Sequence, residues 1–434
     1  MESLKAGFAT ADITPPVGLP MCGSLDPRTN EGIDDPLYAK AMVVESRGSF
    51  ACIVQVDLIG LPRDICDGTI DLACESTGIP RHNIMLACTH THSGPYTKPG
   101  LYSFDVTNSE YLASLPGRIS TAIVRAHANI RAAVMHVGRS LICSGMHYRR
   151  VLCKDGKVFN TWMRDALDDL DLCPQIIGAG GPIDPELWVL RFDDPGGGTF
   201  GVFVNFTCHV NSHFGNRYSS DYPGVMADAV RENFGKEVVT VFTPGACANI
   251  NPTKASGNWL EDAKRFAAQA VGAAANARSV DVPINVSAMR RDISVERRDP
   301  YSDPEDAVGR LNWGGRGGRE DVFHRQREFI ATLPEKLVVP LNVIGIGPFA
   351  VASNPGELFV EHGLAVKQSS PFPHTVIAEL TNDLIMYQPT RAAFEQQGYE
   401  TLVGPNRVSV DGIEKIIDTT KEMLQELWRL TVPA

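Results

Sequence analysis

No apolar run in this chain approaches the roughly 18–20 residues that a membrane-spanning helix needs, so we expect no membrane segment. Basic clusters are missing too. Lys plus Arg number 40 against 51 for Asp plus Glu, giving a formal net charge of −11. That balance argues against nucleic acid or an anionic membrane as the main partner. No Cys-x-x-Cys pair occurs among the 10 cysteines. Cys52, Cys88, Cys208 and Cys247 lie in or beside apolar, strand-like runs, where reduced core thiols fit better than a disulfide framework. No signal-peptide pattern precedes Ala6, no internal repeat is visible, and no linker divides the chain by composition. We therefore expect a cytoplasmic protein of one elaborated domain over residues 1–434, with homo-oligomerisation left open.

What is present is an ordinary globular composition, 43% hydrophobic and 21% charged, with enough chain for a substantial core. Strand and helix patterns alternate, which predicts an α/β fold: a layered mixed β-sheet core flanked by helices. Met42–Glu45 and Cys52–Asp57 read as a hairpin around Arg47-Gly48. Helices are expected after Pro62, from near Pro116, over Asp221–Asn233, along the stripe Leu260 to Val271, and through Ile413 to Leu427.

Chemistry gathers where apolar runs end. Asn83–Cys88 runs into Thr89-His90-Thr91-His92-Ser93-Gly94-Pro95, which reads as two imidazoles on one face of a strand end. Gly201–Phe206 runs into His209, and Val238–Phe242 into the small-residue turn Pro244–Pro252 with Cys247 and Asn251. Phe349–Ala352 leads to Glu357, and Thr375–Leu380 leads to Asn382, Asp383 and Tyr387. Ligands of α/β sheets bind beyond the carboxyl ends of strands, so these ends are expected to converge.

Bland readings compete at several positions. Asn354-Pro355-Gly356-Glu357 also matches a helix start, with Glu357 as a capping residue. His213, four residues after His209, reads as a nearby polar or loop residue. Asp57 and Asp221 are each placed to orient a ligand imidazole, although Asp221 serves equally well as a helix N-cap. Cys247 is read as a buried thiol first and a reactive one second.

The order and wording of these segments resemble the neutral (non-lysosomal) ceramidase family. The likeness runs from Ala6–Pro16 and Gly32–Ala41 through the His90 motif, Tyr148-Arg149-Arg150, the His209 segment and Ala248–Pro252 to Gly356-Glu357 and the Tyr387 segment. It implies a single zinc ion held by His90, His209, Glu357 and Tyr387, with His92 free to meet the substrate and Arg149 contacting it. Three departures stand out. Asn251 occupies the position of the family's serine, proposed as its nucleophile. The longer ceramide-cleaving members carry an immunoglobulin-like C-terminal domain not seen here, and they are secreted or membrane-facing.

These features lead to an expectation of a zinc-dependent hydrolase. An activated water would cleave an amide of a small polar molecule, with His92, Asn251 and Arg149 as catalytic residues. A zinc-dependent lyase, isomerase or glycosidic-bond enzyme acting on a sugar-like molecule is the alternative, and a non-catalytic binding homologue the second. Two long segments, 155–185 and 297–328, are read as lids or binding loops. Trp313, Arg316 and Arg319 in the second would suit a hydroxyl-rich ligand.

Overall fold

Three sheets, each ending in one parallel pair of strands, meet at those parallel edges. The computed structural model describes residues 4–97, 108–162, 175–254, 256–304, 307–308 and 320–431. The acidic run 165–171 and the residues Trp313, Arg316 and Arg319 lie outside them. The first sheet has the order Ile84–Cys88, Ser49–Val56, Tyr38–Ser46, Lys5–Asp12, Arg131–Ala132. Its one parallel pairing joins Ser49–Val56 to Ile84–Cys88. In the second, Thr199–Phe206 pairs in parallel with the edge strand Val239–Pro244. In the third, Phe349–Ser353 pairs in parallel with the edge strand His374–Ala378.

Parallel edges are ordinarily buried on both faces, and the sequence obeys: every residue of Ile84–Cys88 and Phe349–Ser353 is buried. Polar side chains stitch the edges together. Gln55 Oε1 accepts from the Phe242 amide at 2.7 Å, and Asn205 Nδ2 donates to the Ile377 carbonyl at 2.7 Å. The chain beyond Ala378 continues the seam. Glu379 N donates to Pro244 O, and Asn382 N to Leu86 O.

Helices close the outer faces. Arg63–Thr77 and Ser109–Ala128 cover the first sheet. Tyr222–Phe234 and Trp259–Ala275 cover the second, and Val410–Thr431 lies over the third. The apolar stripe Ile413, Ile416, Ile417, Leu424 and Leu427 is buried as its helical spacing requires. Among the described residues no helix is long and apolar enough to cross a membrane.

Two expectations are corrected. The helix expected from near Pro116 starts at Ser109, with Pro116 inside it. Its N-cap residue, Asn108, makes no capping hydrogen bond, so the local start signal is absent. At Glu357 no helix begins. Glu357–Leu358 is a short strand paired in parallel with Tyr387–Gln388, and the helix starts only at Val360. Asn354 instead bonds within the turn, accepting from Gly356 N at 2.9 Å.

Candidate metal centre and active site

The seam of the three sheets delivers His90, His92 and His209 to one point. The strand carrying the first two stops at Cys88, and His90 sits at φ 70°. Their rings therefore converge through a turn and not by strand alternation, contrary to the expectation from spacing. A left-handed conformation at a non-glycine residue is strained and persists where the surroundings fix it. Here His90 N bonds Leu58 O at 2.9 Å and His92 N bonds Val210 O at 3.2 Å.

Each ring turns the same nitrogen inward. Nδ1 of His90 lies 2.7 Å from Ile59 O, Nδ1 of His92 2.9 Å from Gly23 O, and Nδ1 of His209 3.3 Å from Cys247 O. A carbonyl oxygen only accepts, so each Nδ1 carries the proton and each Nε2 presents a lone pair. Those lone pairs face one another. His209 Nε2 is 3.1 Å from His90 Nε2 and 3.0 Å from His92 Nε2. Glu357 Oε2, buried and without a hydrogen-bond partner, lies 3.2 Å from His90 Nε2. Acceptors crowded this closely repel unless a cation or a proton stands between them. The donor set of neutral imidazoles and a carboxylate, with its outer nitrogens fixed on backbone carbonyls, fits zinc.

The electrostatics keep two of the three rings neutral and draw a positive charge toward the third. Burial lowers the pKa of His90, but the charge of Glu357 outweighs it and leaves the value raised. His92 and His209 are held well below the ordinary value, first by burial and then by His90, with Arg149 acting in the same sense. Both are therefore neutral at pH 7.

Tyr387 is placed beside Glu357 by the parallel register of their two strands, which puts partnered side chains on one face. The Arg149 guanidinium lies over its ring, 5.4 Å from the centroid. Arg149 Nε donates to Glu400 Oε1 at 2.8 Å, and Nη1 reaches Asn251 Oδ1 at 3.3 Å. Asn251 is held on the strand Ile250–Pro252, opposite His147.

A model of the N-terminal region of neutral/alkaline non-lysosomal ceramidases matches residues 4–332. The chain belongs to that family. The neutral ceramidase of Pseudomonas aeruginosa is 28% identical over 220 residues, which is 48% of this chain and 30% of that protein. The match thus spans under a third of the relative's length. The crystal structure of neutral ceramidase from the same organism covers 100% of this chain and 76% of its own, at 20% identity and a TM-score of 0.76. A ceramidase solved in complex with C2 has the same TM-score at 19% identity. These likenesses show the fold.

Within this ceramidase-family fold, other expected residues take structural places. Cys247 is buried, and its thiol donates to Glu379 Oε1 at 3.0 Å. Burial and Glu379 push its pKa well up, so it is held protonated and unreactive. Asp57 braces the strands, accepting from Tyr38 N and Gln55 Nε2. Asp221 is the N-cap of Tyr222–Phe234. His213 stands outside the cluster, between Ser93 Oγ at 2.7 Å and Asp34 Oδ2 at 3.0 Å. Sequence reasoning missed Gly23, Glu379, Tyr399 and Glu400. The Tyr399 ring packs 5.7 Å from that of Tyr387.

Proposed function

We propose that this chain is a zinc-dependent amide hydrolase that acts on small, polar N-acyl compounds through an activated water. The observation that carries the reading is the set of Nε2 lone pairs confronting one another at 3.0–3.1 Å. His90, His209, Glu357 and Tyr387 are the ligands we assign, with His92 at the edge of the same cluster. Zinc supplies Lewis acidity at the substrate carbonyl and lowers the pKa of water to about 7.

The remaining work falls to side chains. His92 is neutral, and its Nδ1–H is committed to Gly23 O. Nε2 is thus the atom that takes a proton from water and returns it to the leaving amine. Asn251 turns its oxygen to Arg149, which leaves Nδ2 to donate to the oxyanion that develops on the carbonyl. An amide is not a nucleophile, so no acyl-enzyme forms at residue 251. Every described cysteine is a free thiol, which supports a reducing compartment such as the cytoplasm.

The test is hydrolysis of long-chain ceramide in detergent against short, soluble N-acyl compounds at equal zinc loading. We expect the soluble compounds to be preferred. Turnover that favours ceramide and falls as the acyl chain shortens would overturn the substrate assignment.

A further inference from the structure

Glu379 is fully buried at the seam of the sheets, and its carboxyl serves two stretches of backbone at once. Oε2 accepts from Leu358 N at 2.9 Å and from Cys247 N at 3.1 Å, while Oε1 takes the Cys247 thiol at 3.0 Å. Its own amide donates at 3.1 Å to the carbonyl of Pro244, which ends the edge strand Val239–Pro244. A carboxyl oxygen can accept more than one hydrogen bond. One atom therefore ties the turn after that strand to the short strand Glu357–Leu358. Ala248 N closes the ring by donating to Leu358 O at 3.1 Å.

Each tied segment supports a candidate zinc ligand. Leu358 adjoins Glu357, whose Oε2 has no hydrogen-bond partner, so the backbone sets where that oxygen stands. The Cys247 carbonyl takes Nδ1–H of His209 at 3.3 Å and fixes which way the ring turns. Ile250 N holds the same carbonyl at 3.0 Å, and Glu379 holds the amide of that residue. His209 and Glu357 follow strands of different sheets. The Glu379 carboxyl spans from the support of one to the support of the other while bonding to neither ligand. Without its reach, two buried amides would lose their acceptor, and the two supports would lose their common anchor.

We propose that Glu379 is a positioning residue for the metal, holding the supports of His209 and Glu357 at the separation from which both reach one zinc ion. This rests on the zinc reading, and the two can fail separately. Ligands held through outer partners of this kind commonly lose about tenfold to a hundredfold in metal affinity when the partner is altered.

The experiment measures zinc affinity by chelator competition on the full chain, with each metal-free variant first shown to be folded by circular dichroism. Glu379→Asp withdraws the carboxylate by one methylene and should weaken zinc binding by about tenfold to a hundredfold. Should that variant not fold, Glu379→Ala takes its place with the same expectation. Glu379→Gln keeps an oxygen for both amides and should bind zinc as the unaltered chain does. Cys247→Ala removes the thiol but not the backbone of residue 247, and should also leave the affinity unchanged. A merely structural role would not sort the variants by whether both amides keep their acceptor. Unchanged affinity in folded Glu379→Asp would overturn the proposal, as would a loss in Glu379→Gln equal to that in Glu379→Asp. An unaltered chain that takes up no zinc would sink the metal reading itself.

Discussion

Gly23 offers the sharpest perturbation of the site that leaves every candidate ligand in place. Its carbonyl accepts from His92 Nδ1 at 2.9 Å, and it sits at φ 84°. A Cβ added there would stand 2.7 Å from His92 Cβ and 2.8 Å from its Cα and Cγ. Ordinary carbon contacts are about 3.5–4.0 Å, so roughly an ångström must be found. His92 has little room to give way, because its carbonyl accepts from Arg28 Nη2 at 2.7 Å and its amide is bonded to Val210. Gly23→Ala should therefore cost about 1–2 kcal/mol for the left-handed backbone and about 1–3 kcal/mol for the overlap. Gly18 is the control. It has φ 94° and nothing within 4 Å of an added Cβ, so Gly18→Ala carries the backbone cost alone. Chemical denaturation should separate the two variants by about 1–3 kcal/mol. A ring displaced by about 1 Å can lower turnover about a hundredfold, and only Gly23→Ala should show it at equal zinc content. Wild-type turnover in Gly23→Ala would refute the role given to His92.

Asn251→Ala should lower turnover about tenfold to a thousandfold, the range for losing one oxyanion donor, and mass spectrometry should find no acyl adduct on residues 248–252. An adduct on Asn251 or Cys247 would contradict the water route. Glu379 gives a pH signature: burial raises its folded pKa to about 8, against about 4.3 in an unfolded chain. The stability it contributes is full below the unfolded value and is lost as pH rises through about 8. Glu379→Gln, which copies the shape of the neutral acid, should flatten the decline between about pH 4.5 and 8 in chelator-treated protein. Denaturation curves that decline equally in both proteins would contradict this.

The strand ends were legible because a buried parallel edge writes itself as an unbroken apolar run, and His90, His209 and Tyr387 follow such runs. The helix Tyr222–Phe234 was legible from its N-cap, whereas the start at Ser109 had no cap to announce it. At Glu357 a genuine Asx-type turn imitated a helix start, because the same local bonds serve both. Glu379 and Glu400 were invisible for another reason. Their partners, Cys247 and Arg149, are far away in sequence, and nothing local marks a glutamate as buried. The convergence of His90 and His92 was expected from the wrong geometry, since strand alternation ends before either residue.

Anomalous diffraction at the zinc edge would locate the metal among these ligands. One strong peak is expected within about 2.0–2.2 Å of His90 Nε2, His209 Nε2 and a Glu357 oxygen, and its loss in crystals of His209→Ala. No peak among these residues in protein purified with zinc, or an undiminished peak in His209→Ala, would contradict it.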